Sequence, residues 1–324
     1  MLSNSDTMIA VFPDKLMTPK QIVMEKLEMK LNNLINRALI VGGTHGNEFT
    51  GVYLIKLFEQ FPELIRRDKF ETLTLLANPE AFAVGRRYIH KDLNRCFLRQ
   101  NLEDTTLSTY EDLLAKKIND SYGQNGKKPV DFILDLHSTT SNMGVTILID
   151  NEEPFHLQLA AYLRHVNPAI KVYSSGNSGR SQNALRSLGK FGIGIEVGCI
   201  PQGVLNADFF LKTQSIIYTI LNYLELYNVN KLPEFPNTFI LYKYIEKIDY
   251  PRNENGEITA MIHPQLQFKD YEALNPGDPM FLTLDGQTIP YEGNSITYPV
   301  FINEAAYYET GTAMCLTNQH QITV

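Results

Sequence analysis

An α/β fold, with a mostly parallel or mixed sheet flanked by helices and a smaller C-terminal all-β domain, is what this sequence predicts. Three observations lead there. Short β-branched runs alternate with stretches of helical periodicity from residue 38 to about 227. Beyond that point the helical pattern stops, and brief strand-like runs alternate with Gly-, Asn- and Pro-rich turns. Finally, 324 residues with 44% hydrophobic content suffice to bury one large core or two unequal ones.

Residues 1–37 fit neither pattern and read as an N-terminal extension, helical around 22–31 and without catalytic content. Strands are expected at 38–42, 72–77, 131–137, 145–149, 170–173 and 193–197. Between them, apolar residues recur at helical spacing over 52–61, 110–118, 155–166 and, longest, 209–227. Such alternation implies a largely parallel sheet covered on both faces, with ligands bound beyond the carboxyl ends of the strands. The stretch "NVNKLPEFPNT" reads as a linker, which places a catalytic domain at 38–229 and a β-rich domain at 230–324. In the latter, strands are expected at 239–248, 259–263, 280–284 and 297–302, separated by turns such as "NENG" and "LDGQ".

The formal net charge of −7 argues against nucleic acid or an anionic membrane surface as partner. No apolar run approaches the roughly 18 residues that span a membrane. Acidic residues and prolines break up the N-terminus before any secretory signal forms, so a soluble cytoplasmic protein is expected. Cys96, Cys199 and Cys315 are odd in number and widely spaced, which indicates neither a disulfide framework nor a cysteine-built metal site.

The chemistry concentrates in four segments. "VGGTHGNEFTG" (41–51) runs from an apolar strand into glycines interrupted by His45 and Glu48. A phosphate loop would need a lysine followed by Ser or Thr, or a GxGxxG spacing, and neither is present. A helix beginning near Gly46 would aim His45 and Glu48 the same way. Alone, this spacing equally describes a helix start with a polar first turn. "DFILDLHSTT" supplies the partner. His137 ends a strand, and Asp135 on the same face offers the carboxylate that metal-bound histidines usually require. Two nitrogens and a carboxylate form the ligand set of zinc hydrolases that keep a fourth position open for water. In "GIGIEVG", Glu196 lies opposite Ile193, Ile195 and Val197 on a buried strand, flanked by glycines that leave room for substrate, as a general base requires. "GRRYIHKDLNR" brings Arg86, Arg87, Lys91 and Arg95 together, either as a solvated loop or as donors for a carbonyl and a carboxylate.

With "GGTHGNEFTGVYL", "RRYIHKDLNR", "GIEVG-PQGVL", "IEKIDYPRNENGEI", "PGDPMFLTLDG" and "YPVFINEAAYYE", the chain resembles the aspartoacylase subfamily of the succinylglutamate desuccinylase/aspartoacylase family, related to zinc carboxypeptidases. The resemblance runs from about residue 38 to 310. It implies one zinc per chain on His45, Glu48 and His137, with Glu196 as general base and then acid. It further implies that Arg87 polarises the scissile carbonyl, and that Asn94 and Arg95 grip the substrate α-carboxylate, aided by Tyr307 from the second domain. Arg186 is left for a second carboxylate. Family members specialised for N-acetylaspartate carry a tyrosine where this chain has Gln182 and a lysine where it has Gly311. The expected activity is therefore deacylation of N-acyl-L-aspartate, with other N-acyl amino acids or desuccinylation as alternatives. The partner is a small molecule, and a homo-oligomer is compatible with the sequence. A zinc-dependent binding protein on an inactive hydrolase fold should lack Glu196 or Arg87, and both are present.

Overall fold

Strands buried on both faces, with successive side chains pointing to opposite sides, dictate the layers. The computed structural model describes residues 34–176 and 181–324; the extension up to residue 33, with its expected helix, lies outside them. Six strands form near the positions read from the sequence: β1 (Arg37–Gly42), β2 (Glu71–Leu76), β3 (Phe132–Ser138), β4 (Gly144–Ile149), β5 (Lys171–Ser174) and β6 (Phe191–Gly198). In the second half come β7 (Thr238–Ile248), β8 (Ala260–Ile262), β9 (Pro279–Thr283), β10 (Thr288–Pro290) and β11 (Met314–Thr323). The main sheet runs β11-β7-β5-β4-β6-β3-β1-β2, and β10-β9-β8 make a separate antiparallel sheet. Within the main sheet only β4–β6 and β7–β11 pair antiparallel. Two strands of the C-terminal segment thus extend the sheet of the preceding α/β segment.

The helices are α1 (Phe49–Gln60), α2 (Pro79–Ala83), α3 (Arg99–Glu103), α4 (Tyr110–Tyr122), α5 (Pro154–Val166) and α6 (Ala207–Asn228). Ile40, Phe132, Leu134, Leu136, Ile193, Ile195 and Val197 form one core with apolar faces of α1, α5 and α6. The intervening residues Leu39, Val41 and Ile133 point the other way, toward Ala115 and Ile118 of α4. Further along the same face, Leu148, Tyr173 and Tyr242 pack against Tyr271, Val300, Phe301 and Cys315 of the C-terminal segment. Asp135, His137 and Glu196 share the parity of this second face, where the α4 side meets the C-terminal covering.

The strand expected at 297–302 is absent. Only isolated bridges, Thr297 to Leu274 and Val300 to Cys315, occur there. Pro299 removes a ladder donor, and Phe301 and Asn303 have left-handed backbone (φ 53° and 59°), so a regular strand cannot continue. No disulfide joins the three cysteines; Cys96 and Cys315 are buried and Cys199 is exposed. No helix among the described residues is long and apolar enough to cross a membrane.

Candidate active site

A tight turn and two adjacent strands assemble the centre. Helix α1 begins at Phe49, so His45 and Glu48 lie just before it rather than in its first turn. The Glu48 backbone N–H donates to the His45 carbonyl at 3.2 Å, and this turn achieves what helical spacing was expected to do. It sets Glu48 Oε1 2.6 Å from His45 Nδ1. Gly46 is required in the turn, since a Cβ would stand 2.2 Å from the Ala81–Phe82 peptide in α2. β3 and β6 are parallel neighbours with His137 in register with Glu196. His137 Nδ1 lies 2.9 Å from Glu48 Oε2, which also accepts from the Ser138 backbone N–H at 3.2 Å.

Each imidazole is held between two carboxylates. His45 Nε2 stands 3.0 Å from Asp92 Oδ1, and His137 Nε2 stands 2.9 Å from Asp135 Oδ2. Thr44 Oγ1 donates to the other Asp135 oxygen at 2.7 Å. Asp135 was expected in this place; Asp92 was not. The available signal was arithmetical, because two histidines need two outer carboxylates and "KDLNR" contained the second. The inner donor atoms of His45, Glu48 and His137 lie within 4.8 Å of one another, and all three residues are buried. With the outer carboxylates orienting the rings, this donor set fits a metal ion.

Burial opposes ionisation of Glu48, yet the neighbouring His45 and His137 hold its carboxyl well below the usual range. Burial likewise opposes a charge on His137, but Asp135 and Glu48 push its pKa well above the ordinary value. Glu196 is different. Burial raises its carboxyl well above the usual range, only partly offset by His137, and among the described residues that carboxyl makes no side-chain hydrogen bond or ion pair. Its flanking glycines do not leave room for substrate, as the sequence suggested. A Cβ at Gly198 would meet the Thr139 and Ser141 carbonyls at 2.5 Å, and one at Gly194 would meet Leu148 at 3.1 Å. The glycines admit the protein itself.

The loop carrying the arginines is anchored by hydrogen bonds. Gly46 N–H donates to the Arg87 carbonyl at 3.0 Å. The buried Glu111 of α4 accepts from the backbone N–H groups of Ile89, His90 and Lys91. Arg87 Nη1 reaches Glu48 Oε1 at 3.0 Å and Nη2 reaches Asp92 Oδ2 at 3.3 Å. Arg86 is exposed and Lys91 pairs with Asp112, so neither lines the cavity. Asn94 Oδ1 accepts from Leu185 N–H at 2.7 Å, which leaves its amide nitrogen 3.4 Å from His137 Nε2. Arg95 Nη1 donates to the Asn94 carbonyl at 2.7 Å.

Asn94, Arg95, Arg186, Glu196 and Tyr307 all border one cavity with His45, Glu48, Arg87 and His137, whereas Asp135 lies behind them. Glu304, given no role from sequence, borders it too. Its carboxylate accepts from Thr139 Oγ1, and from Thr140 N at 2.7 Å and Oγ1 at 3.0 Å, tying the C-terminal segment to the loop after β3. Gln182 is exposed, and Gly311 ends the turn Ala305–Thr310 with φ 61°, outside the cavity lining.

Residues 35–224 match the "Succinylglutamate desuccinylase/Aspartoacylase catalytic domain", and residues 237–319 match the "AstE/AspA barrel-sandwich hybrid domain". A "Probable aspartoacylase" of Nostoc sp. is 58% identical, covering 90% of this chain and 98% of its own length. The "N-acyl-aromatic-L-amino acid amidohydrolase (carboxylate-forming)" of Mus musculus is 39% identical, covering 89% of this chain and 92% of its own. The crystal structure of murine aminoacylase 3 matches with a TM-score of 0.85 at 38% identity, covering 90% of this chain and 97% of that one. The chain is thus an amidohydrolase and belongs to the succinylglutamate desuccinylase/aspartoacylase family.

Proposed function

We propose that this chain is a zinc-dependent amidohydrolase cleaving N-acyl-L-amino acids, N-acyl-L-aspartate among them, to a carboxylate and the free amino acid. One observation carries the reading. Each imidazole turns one nitrogen to the shared Glu48 and the other to its own outer carboxylate, Asp92 or Asp135. Two imidazoles and a carboxylate suit zinc better than magnesium. Zinc held by His45, Glu48 and His137 would supply Lewis acidity and make water acidic enough to attack at neutral pH. Glu196, one strand from His137, takes the proton from the attacking water and returns it to the departing nitrogen. Arg87, fixed by Glu48 and Asp92, faces the carbonyl oxygen and stabilises the charge that develops there. Arg95 and the Asn94 amide bind the α-carboxylate, with Tyr307 closing that end from the C-terminal segment.

A second reading concerns the side chain. Arg186, left for the β-carboxylate of an acyl-aspartate, is already engaged by Asp150 at 2.6 Å, which favours acceptance of uncharged side chains. The name of the murine relative agrees with this. The test of the chemistry is Glu196→Gln, which keeps shape but cannot take the proton. Turnover should fall roughly 10²- to 10⁴-fold, with one zinc per chain and wild-type melting retained. Turnover within a few-fold of wild type would place the base elsewhere. A His45→Ala, His137→Ala double variant that still held stoichiometric zinc would end the metal assignment.

A further inference from the structure

Among the described residues three arginines border the cavity, and two of them are already paired with carboxylates. Arg87 lies against Glu48 and Asp92. Arg186 meets Asp150 in a bidentate pair, Nε to Oδ2 at 2.7 Å and Nη2 to Oδ1 at 2.6 Å. The pair is largely withdrawn from water, with side-chain exposures of 8% for Arg186 and 14% for Asp150. Ser175 Oγ donates to Asp150 Oδ1 at 3.2 Å and helps fix the carboxylate. Arg95, by contrast, bonds a backbone carbonyl and, among the described residues, has no carboxylate within ion-pair distance.

Among the described residues the cavity therefore offers one uncompensated guanidinium. An N-acyl amino acid with an uncharged side chain brings one carboxylate; an N-acyl aspartate brings two. The second would have to approach Arg186 with Asp150 already on it, and two carboxylates sharing one guanidinium in a dry site repel strongly. Another part of the cavity lining suits a different side chain. Leu148, Tyr173 and Phe301 line it, with the rings of Tyr173 and Phe301 5.9 Å apart at 84° and Tyr307 5.5 Å from Phe301.

We propose that Asp150 is a specificity-determining residue: it cancels the charge of Arg186 and so matches the cavity to N-acyl amino acids whose side chain is uncharged, aromatic or aliphatic. This rests on the amidohydrolase reading above. It predicts that the α-carboxylate goes to Arg95 and the side chain to the apolar wall. An acidic side chain is penalised by Asp150 rather than by a missing cation.

The experiment compares N-acetylaspartate with N-acetylphenylalanine on the zinc-loaded, full-length enzyme. Wild type should have the higher kcat/KM on N-acetylphenylalanine. In Asp150→Asn the ratio of kcat/KM for aspartate over phenylalanine should rise roughly 10- to 100-fold, the value of one charge-assisted contact regained. The gain should appear in KM rather than kcat, because binding and not the reacting centre has changed. An Asp150→Leu, Arg186→Leu double variant should lose that gain, since the freed guanidinium is its source. An unchanged ratio overturns the proposal. A fall does so too, and would show that Asp150 serves to aim Arg186 at the substrate. If Asp150→Asn fails to fold, product inhibition of wild type decides: phenylalanine should inhibit more strongly than aspartate, and the reverse order overturns the proposal. A wild-type enzyme that cleaves neither substrate would remove the amidohydrolase reading and this proposal with it, a result distinct from any change in ratio.

Discussion

Asp135 and Asp92 stand equally close to the two imidazoles but have unequal duties, and that difference can be measured. Among the described residues the Asp135 carboxylate bonds only His137 and Thr44, at 2.9 and 2.7 Å. Asp135→Asn keeps an oxygen for Thr44 and loses the charge beside His137. Loss of such an outer carboxylate typically lowers metal affinity about 10- to 100-fold. At saturating zinc, kcat should return to within a few-fold of wild type, because no other group of the centre is held by Asp135. Asp92 orients His45, accepts from Asn94 N–H at 2.8 Å and holds Arg87 Nη2 at 3.3 Å. Asp92→Asn should show the same loss of affinity. It also gives up a charge-assisted contact to Arg87, typically worth about 1.5–3 kcal/mol. Excess zinc cannot restore that, so a further deficit in kcat, roughly tenfold or more, should persist. The assay pairs zinc titration against a chromophoric chelator with turnover at saturating zinc. Wild-type zinc affinity in Asp135→Asn would refute the orienting role. Equal residual kcat in the two variants would refute the link between Asp92 and Arg87.

Two further outcomes are expected. Burial raises the Asp270 carboxyl to about 7, despite backbone N–H bonds from Ile302 and Asn142 that favour its charged form. Its pKa is higher in the fold than in the unfolded chain, so its stabilisation is complete below about pH 4 and is lost as pH rises through about 7. The change amounts to about 4 kcal/mol at most, and Asp270→Asn should flatten the pH dependence of urea-derived stability by a measurable part of it; identical slopes would refute this. Gly311→Lys, suggested by the aspartate specialists, should not improve use of N-acetylaspartate. The backbone there is left-handed, and a Cβ would stand 2.7 Å from Asp249 Oδ2. The variant should lose about 1–3 kcal/mol, with its ammonium drawn to Asp249; a lower KM for N-acetylaspartate at unchanged stability would contradict this.

The parts legible in the sequence are those written in local periodicity. Strand alternation placed Asp135 with His137 on one face of their strand and Glu196 opposite the isoleucines of its own, and the register of β3 with β6 brings the three onto one face. The glycine-rich turn delivered His45 and Glu48 although the helix starts later than expected. Pairings between distant segments were not legible. Asp92 meets His45 across 47 positions, and Arg186 meets Asp150 across 36, with no spacing rule to join them. β11 went unread for a different reason. Its outer half, Asn318 to Gln321, is polar and exposed at the sheet edge, so it lacks the alternation by which inner strands announce themselves. The glycines around Glu196 misled because a missing side chain records proximity without saying of what.

Glu304 binds the two halves of the cavity into one, and this divides inheritance within the gene product. Every residue proposed to hold zinc, move a proton or face the scissile bond precedes residue 200, whereas Phe301 and Tyr307, proposed to meet the rest of the substrate, follow residue 300. The reacting groups are thus written on one stretch of chain, whereas the choice of substrate, proposed for Asp150 and Arg186 as well as for Phe301 and Tyr307, is shared between that stretch and the tail. Changes in the tail can retune selectivity while the hydrolytic apparatus stays as it was. The vulnerability is the converse. The Glu304 carboxylate fastens that tail to Thr139 and Thr140 of the loop after β3, beside bonds from Ser141 to the Ile302 carbonyl and from the Asn142 N–H to Asp270. Slackening there would let solvent flood the cavity and blunt the enzyme without displacing any group that reacts.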